Sequence, residues 1–174
     1  LVVFSGTALY IVNPEGMYIE RELDGYGIVN ANAFAISDHA LVWANNTSIY
    51  ALTKDGIIDA GLKIRNASSD PLSIAWDETL TDKTSSIVGY DNRRQIFIIS
   101  EAVGDNAYIW LYSAINNRFD CCRVSDSNTQ APPSYFTPHW NGGLIEFLVD
   151  SGDEINTLVW LFNDSTYRDI PVSY

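Results

Sequence analysis

Histidine and cysteine each occur twice in these 174 residues, and methionine once. Basic residues are scarce: 10 Lys and Arg stand against 22 Asp and Glu, a formal charge of −12. Proteins that grip nucleic acid by its phosphates carry the opposite balance, gathered into a basic patch. The one basic pair, Arg93-Arg94, falls in an expected turn, so tight nucleic-acid binding is disfavoured while passive contact with DNA is not. The apolar runs, such as "LVVF", "IFII" and "TLVWLF", fall far short of a membrane span of about 20 residues. No charged start followed by an apolar stretch and a cleavage site is visible. The chain opens on Leu1 inside a strand-like run, which leads us to expect a segment of something longer.

Catalytic and metal chemistry find little material here. His39 sits between turn residues and a strand, and His139 follows Pro138 in "FTPHW". With no Gly-x-Ser-x-Gly elbow, a Ser/His/Asp arrangement has no support, and loop packing accounts for both histidines. Two histidines and a vicinal cysteine pair lack zinc spacing. "DSGDE" (150–154) lacks the alternating ligands of a calcium loop and reads as a solvated hairpin tip. Phosphate-cradling glycine loops are absent. We therefore expect no enzyme, no cofactor and no metal. Cys121 and Cys122 are adjacent; on a strand they point to opposite faces and cannot staple distant segments, which fits a reducing compartment. Asn-x-Ser/Thr triplets at Asn45, Asn46, Asn66 and Asn163 read as chance in an Asn- and Ser-rich β protein, the other reading being glycosylation.

What the sequence does have is repetition. Tyr10 and Tyr50 lie 40 residues apart, and at that offset Thr7 matches Thr47, Leu9 matches Ile49, Val12 matches Leu52 and Gly16 matches Gly56. Each copy reads as strand, polar turn ("SGT", "NNT"), strand, then a tight turn closing on glycine ("NPEG", "TKDG"). Proline presets φ, glycine accepts positive φ, and Asn or Asp bonds its own backbone. The segments between are apolar, β-branched and aromatic, which favours strands. A second echo pairs "YIWLYSAINNRFD" with "LVWLFNDSTYRDI", bringing Trp110 and Trp160 to one phase at an offset of 50. Each echo follows a strand-turn-strand, turning at Asp91–Arg94 and at Asn141–Gly143.

About four units of about 40 to 50 residues, filled with short strands, point to an all-β fold of the β-propeller kind, built from antiparallel hairpins. The expected units are roughly 1–38, 39–84, 85–133 and 134–174 of a single domain. Several strands are apolar without alternation, so they should be covered on both faces. A two-sheet sandwich or a stacked hairpin array is the second choice. Within "SSDPLSIAWDETLTDK", Asp70 as cap and Pro71 at the first helical position suggest a short helix near 71–80 between units, with a structured loop as the alternative. Of the five tryptophans, Trp43, Trp110 and Trp160 fall inside strands and should be buried; Trp140, with Tyr135 and Phe136 in "APPSYFTPHWNGG", is the candidate for contact with a partner.

"GIVNANAFAISDHALVWANNTSIYALTKDGIIDAG" and "IVGYDNRRQIFII" followed by "YIWLYSAINNRFD" resemble the repeats of bacteriophage tail-hub proteins, including podophage tail-nozzle and DNA-stabilisation proteins. The likeness runs from about Gly27 onward. It departs in lacking Trp at Phe97 and Phe119, and in the Cys-Cys pair. The resemblance implies a virion structural protein, assembled in the host cytoplasm. Such a subunit forms rings with its own copies, meets other tail and portal proteins, and lets DNA pass without holding it. The alternative is a surface propeller that binds glycans or proteins.

Overall fold

The computed structural model describes residues 1–64, 76, 83–101, 106–125, 133–138, 145–150, 155–160 and 172–173. Within them the chain is all-β, with fifteen strands in four antiparallel sheets, two 3-10 turns, Ala60–Lys63 and Lys83–Ser85, and one residue in α-helical conformation, Trp76. The first sheet holds β1 (Val2–Phe4), β2 (Ala8–Asn13) and β3 (Tyr18–Asp24). The second holds β4 (Phe34–Ile36), β5 (Leu41–Ala44), β6 (Ile49–Thr53) and β7 (Gly56–Asp59). The third runs β8 (Ile87–Asp91), β9 (Ile96–Glu101), β10 (Asn106–Ser113) and β11 (Arg118–Ser125); the fourth runs β12 (Pro133–Pro138), β13 (Ile145–Asp150) and β14 (Ile155–Trp160). Every sheet is a meander of sequence neighbours. The late strand β15 (Val172–Ser173) returns to pair with β11.

The 40-residue echo is also a register. Val3 pairs with Tyr10 and Phe4 with Leu9; Trp43 pairs with Tyr50 and Ala44 with Ile49. β1 and β2 are thus the counterparts of β5 and β6, and Tyr10 and Tyr50 hold corresponding places. Their turns share a device, because Ser5 Oγ accepts the amides of Thr7 and Ala8, and Asn45 Oδ1 those of Thr47 and Ser48. The next turns correspond too: Asn13 Oδ1 accepts from Glu15 and Gly16, and Thr53 Oγ1 from Asp55. A side chain that bonds its own turn satisfies amides the ladder cannot reach. The copies part at the closing glycine. Gly56 adopts φ +120°, whereas in the longer first loop the left-handed residue is Met17 (φ 53°), one place beyond Gly16. That longer loop recurs in the third sheet, where Asp91 and Ser113 cap the turns and Gln95 and Asn117 take positive φ.

Packing explains the unalternated strands. One face of the second sheet turns Trp43 and Tyr50 toward Val2, Leu9, Ile11 and Leu23 of the first. The opposite face presents mostly small residues, Ala35, Val42, Ala44 and Ala51, to Trp76, Phe97, Trp110 and Tyr112 on the third-sheet side. Large rings fill the space that small residues leave, which is how layers reach interior density. The third sheet is covered again on its far face, where Phe136 of β12 lies over Gly89 of β8. A sheet buried on both sides has no place in a two-layer sandwich. Trp43 and Trp110 are buried, as expected of strand tryptophans. Most of the segment expected to be helical near 71–80 lies outside the described residues; Trp76 is buried, edge to face with Trp110 at 6.2 Å, and Lys83 Nζ stands 4.1 Å from its ring centroid.

Candidate functional site

The first strands of the second, third and fourth sheets, β4, β8 and β12, draw together. They enclose an open cavity of about 500 Å³. β4 is only three residues long, and the Ser37–Ala40 turn ends it: Ser37 Oγ accepts the amides of His39 and Ala40 and donates to the Ala40 carbonyl. This turn sets Asp38 at the cavity rim beside Phe34 and Ile36. β8 supplies Gly89 and Tyr90, with Asn92 following in its turn, and β12 supplies Phe136.

The chemistry of this space is aromatic and weakly acidic. Burial holds the Tyr90 phenol above its ordinary value of 10.0; the charges of Asp38 and Asp91 push the same way, and a hydrogen bond with the Ser37 side chain pulls against them. Tyr90 therefore remains a neutral phenol at physiological pH. Phe34 is 39% exposed and Ile36 66%, so apolar surface faces the opening. No basic side chain and no histidine is among the described lining residues. A second groove, about 360 Å³, runs between turns of the first two sheets past Thr7, Gly27 and Asn45, and it carries no ionisable group among its described residues.

Of the three partner-contact candidates, Phe136 lies at the cavity, half-buried against β8. Tyr135 is the preceding residue of β12, opposite Leu148. Trp140 and His139 lie outside the described residues, as does most of the "DSGDE" tip beyond Asp150. His39 is exposed on its turn. Cys121 and Cys122 fall mid-strand in β11, opposite Trp110 and Ile109. No group of three or more His, Cys, Asp or Glu placed to hold a metal ion occurs among the described residues, and no helix there is long and apolar enough to cross a membrane. Phe34, Asp38 and Tyr90 were not singled out from sequence. The available signal was the turn-like "SDHA" after "AFAI", which marks a strand end but not what that end faces.

Fold and cavity define an all-β protein of antiparallel meanders, the leading strands of three of which, β4, β8 and β12, share one open space. The chain matches no family model, no curated protein and no solved structure.

Proposed function

We propose that the chain is a β-propeller-type structural subunit of a bacteriophage virion, part of a tail hub or nozzle that forms a channel for genome passage. Its role is geometric and non-catalytic. Its partners are copies of itself in a ring, other tail and portal proteins, and DNA in transit. The observation that carries this reading is the gathering of β4, β8 and β12 around one cavity, the relation that leading strands of successive propeller blades have to a common axis. The charge of −12 supplies a mechanism. Carboxylates repel phosphates across the roughly 8 Å over which charge is felt at physiological salt, so DNA slides instead of adhering. Asp38 at the rim and the want of basic residues among the described lining agree with that. Mass photometry of the protein should show a closed ring of defined copy number, and immobilised double-stranded DNA at low salt should not retain it. A monomer at all concentrations, or firm retention on DNA, overturns the reading.

One observation favours the alternative, a glycan-binding module: Phe34, Tyr90 and Phe136 line the same space as Asp38 and Asn92. Aromatic faces beside hydrogen-bonding groups suit sugars. Saturable binding to a glycan panel, lost in Phe34→Ala, would select it.

A further inference from the structure

The cavity between the second, third and fourth sheets is lined by backbone as well as by side chains. β4 and β8 are edge strands, and among the described residues no strand pairs with either outer edge. Ladder bonds fix which groups face the opening. On β4, the Ala44 amide donates to the Ala33 carbonyl and the Ser37 amide to the Ala40 carbonyl. Bonded and unbonded pairs alternate in an antiparallel ladder, so the carbonyls of Phe34 and Ile36 point away from β5. On β8, the Val88 amide donates to the Asn32 carbonyl at 2.9 Å and so points away from β9. Tyr90, two residues on, presents its carbonyl in the same direction. Phe34, Ile36 and Tyr90 all line the cavity.

Charge there is one-sided. Asp38 brings an exposed carboxylate to the rim, and no Lys, Arg or His is among the described lining residues. The Tyr90 phenol registers the field: burial first, then the charges of Asp38 and Asp91, hold its proton above the ordinary value against a hydrogen bond with Ser37. A negative potential that retains a proton also favours a bound cation. Carbonyl acceptors, a carboxylate and the aromatic residues Tyr90 and Phe136 thus border about 500 Å³, within the roughly 300–1,000 Å³ of small-molecule sites. A metal ion is a poorer match, since Ca²⁺ takes about 6–8 oxygen ligands and Val88 and Phe136 make part of this lining apolar.

We propose that this cavity binds a small organic cation, a primary ammonium on an aromatic or aliphatic stem. The N–H donors of the ammonium are shared between the Asp38 carboxylate and the outward carbonyls, and the stem lies against Tyr90 and Phe136. Ring assembly neither requires this site nor fails with it. Charge separates the cation from the glycan considered above for the same space. A sugar is indifferent to loss of the Asp38 charge where an amide keeps the hydrogen bond; an ammonium is not.

The test titrates phenethylammonium into the isotope-labelled 174-residue chain. Saturable binding is expected, with resonance shifts at the amides of Phe34, Ile36 and Tyr90. Phenethyl alcohol, its neutral counterpart, should bind about tenfold or more weakly. Asp38→Asn should lower affinity for the ammonium about threefold or more, with the melting temperature held because the side chain is exposed. Asp55→Asn, which removes an exposed carboxylate from the β6–β7 turn, should leave affinity unchanged. Failure to saturate, shifts elsewhere, equal binding of the alcohol or unchanged affinity in Asp38→Asn overturns the proposal. So does an equal loss in Asp38→Asn and Asp55→Asn, the mark of attraction by net charge alone. Self-association that is lost in Asp38→Asn and resists the probe would assign the ammonium to a lysine of a second copy, and overturns it as well.

Discussion

Gly89→Ala tests the contact between the third and fourth sheets with a single methyl group. A Cβ built at Gly89 would lie 2.6 Å from Phe136 Cγ and 2.7 Å from Phe136 Cβ, against about 3.5–4.0 Å for carbon atoms in ordinary contact. The Phe136 Cβ is fixed to the backbone of β12, so rotating the ring cannot relieve the overlap and the strands must separate. Overpacking of this kind costs about 1–3 kcal/mol. Gly89 has no positive φ, so alanine is otherwise acceptable there and gains about 0.4–1 kcal/mol by restricting the unfolded chain. Gly89→Ala should therefore destabilise by about 1–2 kcal/mol, read as a lower urea midpoint at unchanged slope. Phe136→Gly removes the nearest atoms, and in that background Gly89→Ala should turn neutral or stabilising. The cycle should yield a coupling of about 1–3 kcal/mol. Additive effects would mean that β8 and β12 do not meet in solution, and the serial packing of sheets would fail at that joint.

Trp43→Ala should cost about 3–5 kcal/mol in urea unfolding followed by far-UV circular dichroism, because the ring is fully buried and stacked on Tyr50 at 5.5 Å. Trp43→Phe keeps most of the packing but leaves the Tyr26 carbonyl without its indole donor, a loss of about 1–3 kcal/mol. Asn45→Ala removes the acceptor for two turn amides and the donor to the Gly25 carbonyl; a drop of about 2–4 kcal/mol is expected, with Asn45→Asp losing less because it keeps the acceptor. Burial raises the Tyr112 phenol above its ordinary value of 10.0. The unfolded chain then ionises first, so this contribution is complete below pH about 10 and is lost as pH rises through the folded value. Absorbance titration at alkaline pH should show one fewer late-titrating phenol in Tyr112→Phe, with that of Tyr90 retained.

The repeat was legible because its signals are local. Ser5 and Asn45, Asn13 and Thr53 occupy turn positions that chain geometry demands, and the same 40-residue step governs cross-strand pairing. The doubly covered strands were legible for a thermodynamic reason: unalternated apolar residues such as Val42, Trp43 and Ala44 would otherwise expose one face to water. β3 was harder, since "YIERELD" is exposed along almost its whole length and shows little apolar patterning. The cavity was hidden because no local pattern states that Phe34, Tyr90 and Phe136, spread over about a hundred residues, will converge. Gly89 resembles any strand glycine until Phe136 is seen above it. The vicinal cysteines, even located in β11, acquire no role from their placement.

β15 has a kinetic consequence. All other described strand pairs join neighbours along the chain, so each meander can close its ladders as soon as its own residues are available, without waiting for distant ones. The β11–β15 clasp alone must wait for residues 172–173, by which time the fourth meander has been synthesised. During synthesis the outer edge of β11 is thus, of the described edges that another strand covers, the last to be covered, and an intermediate stalled at that stage would present it to whatever strand arrives first.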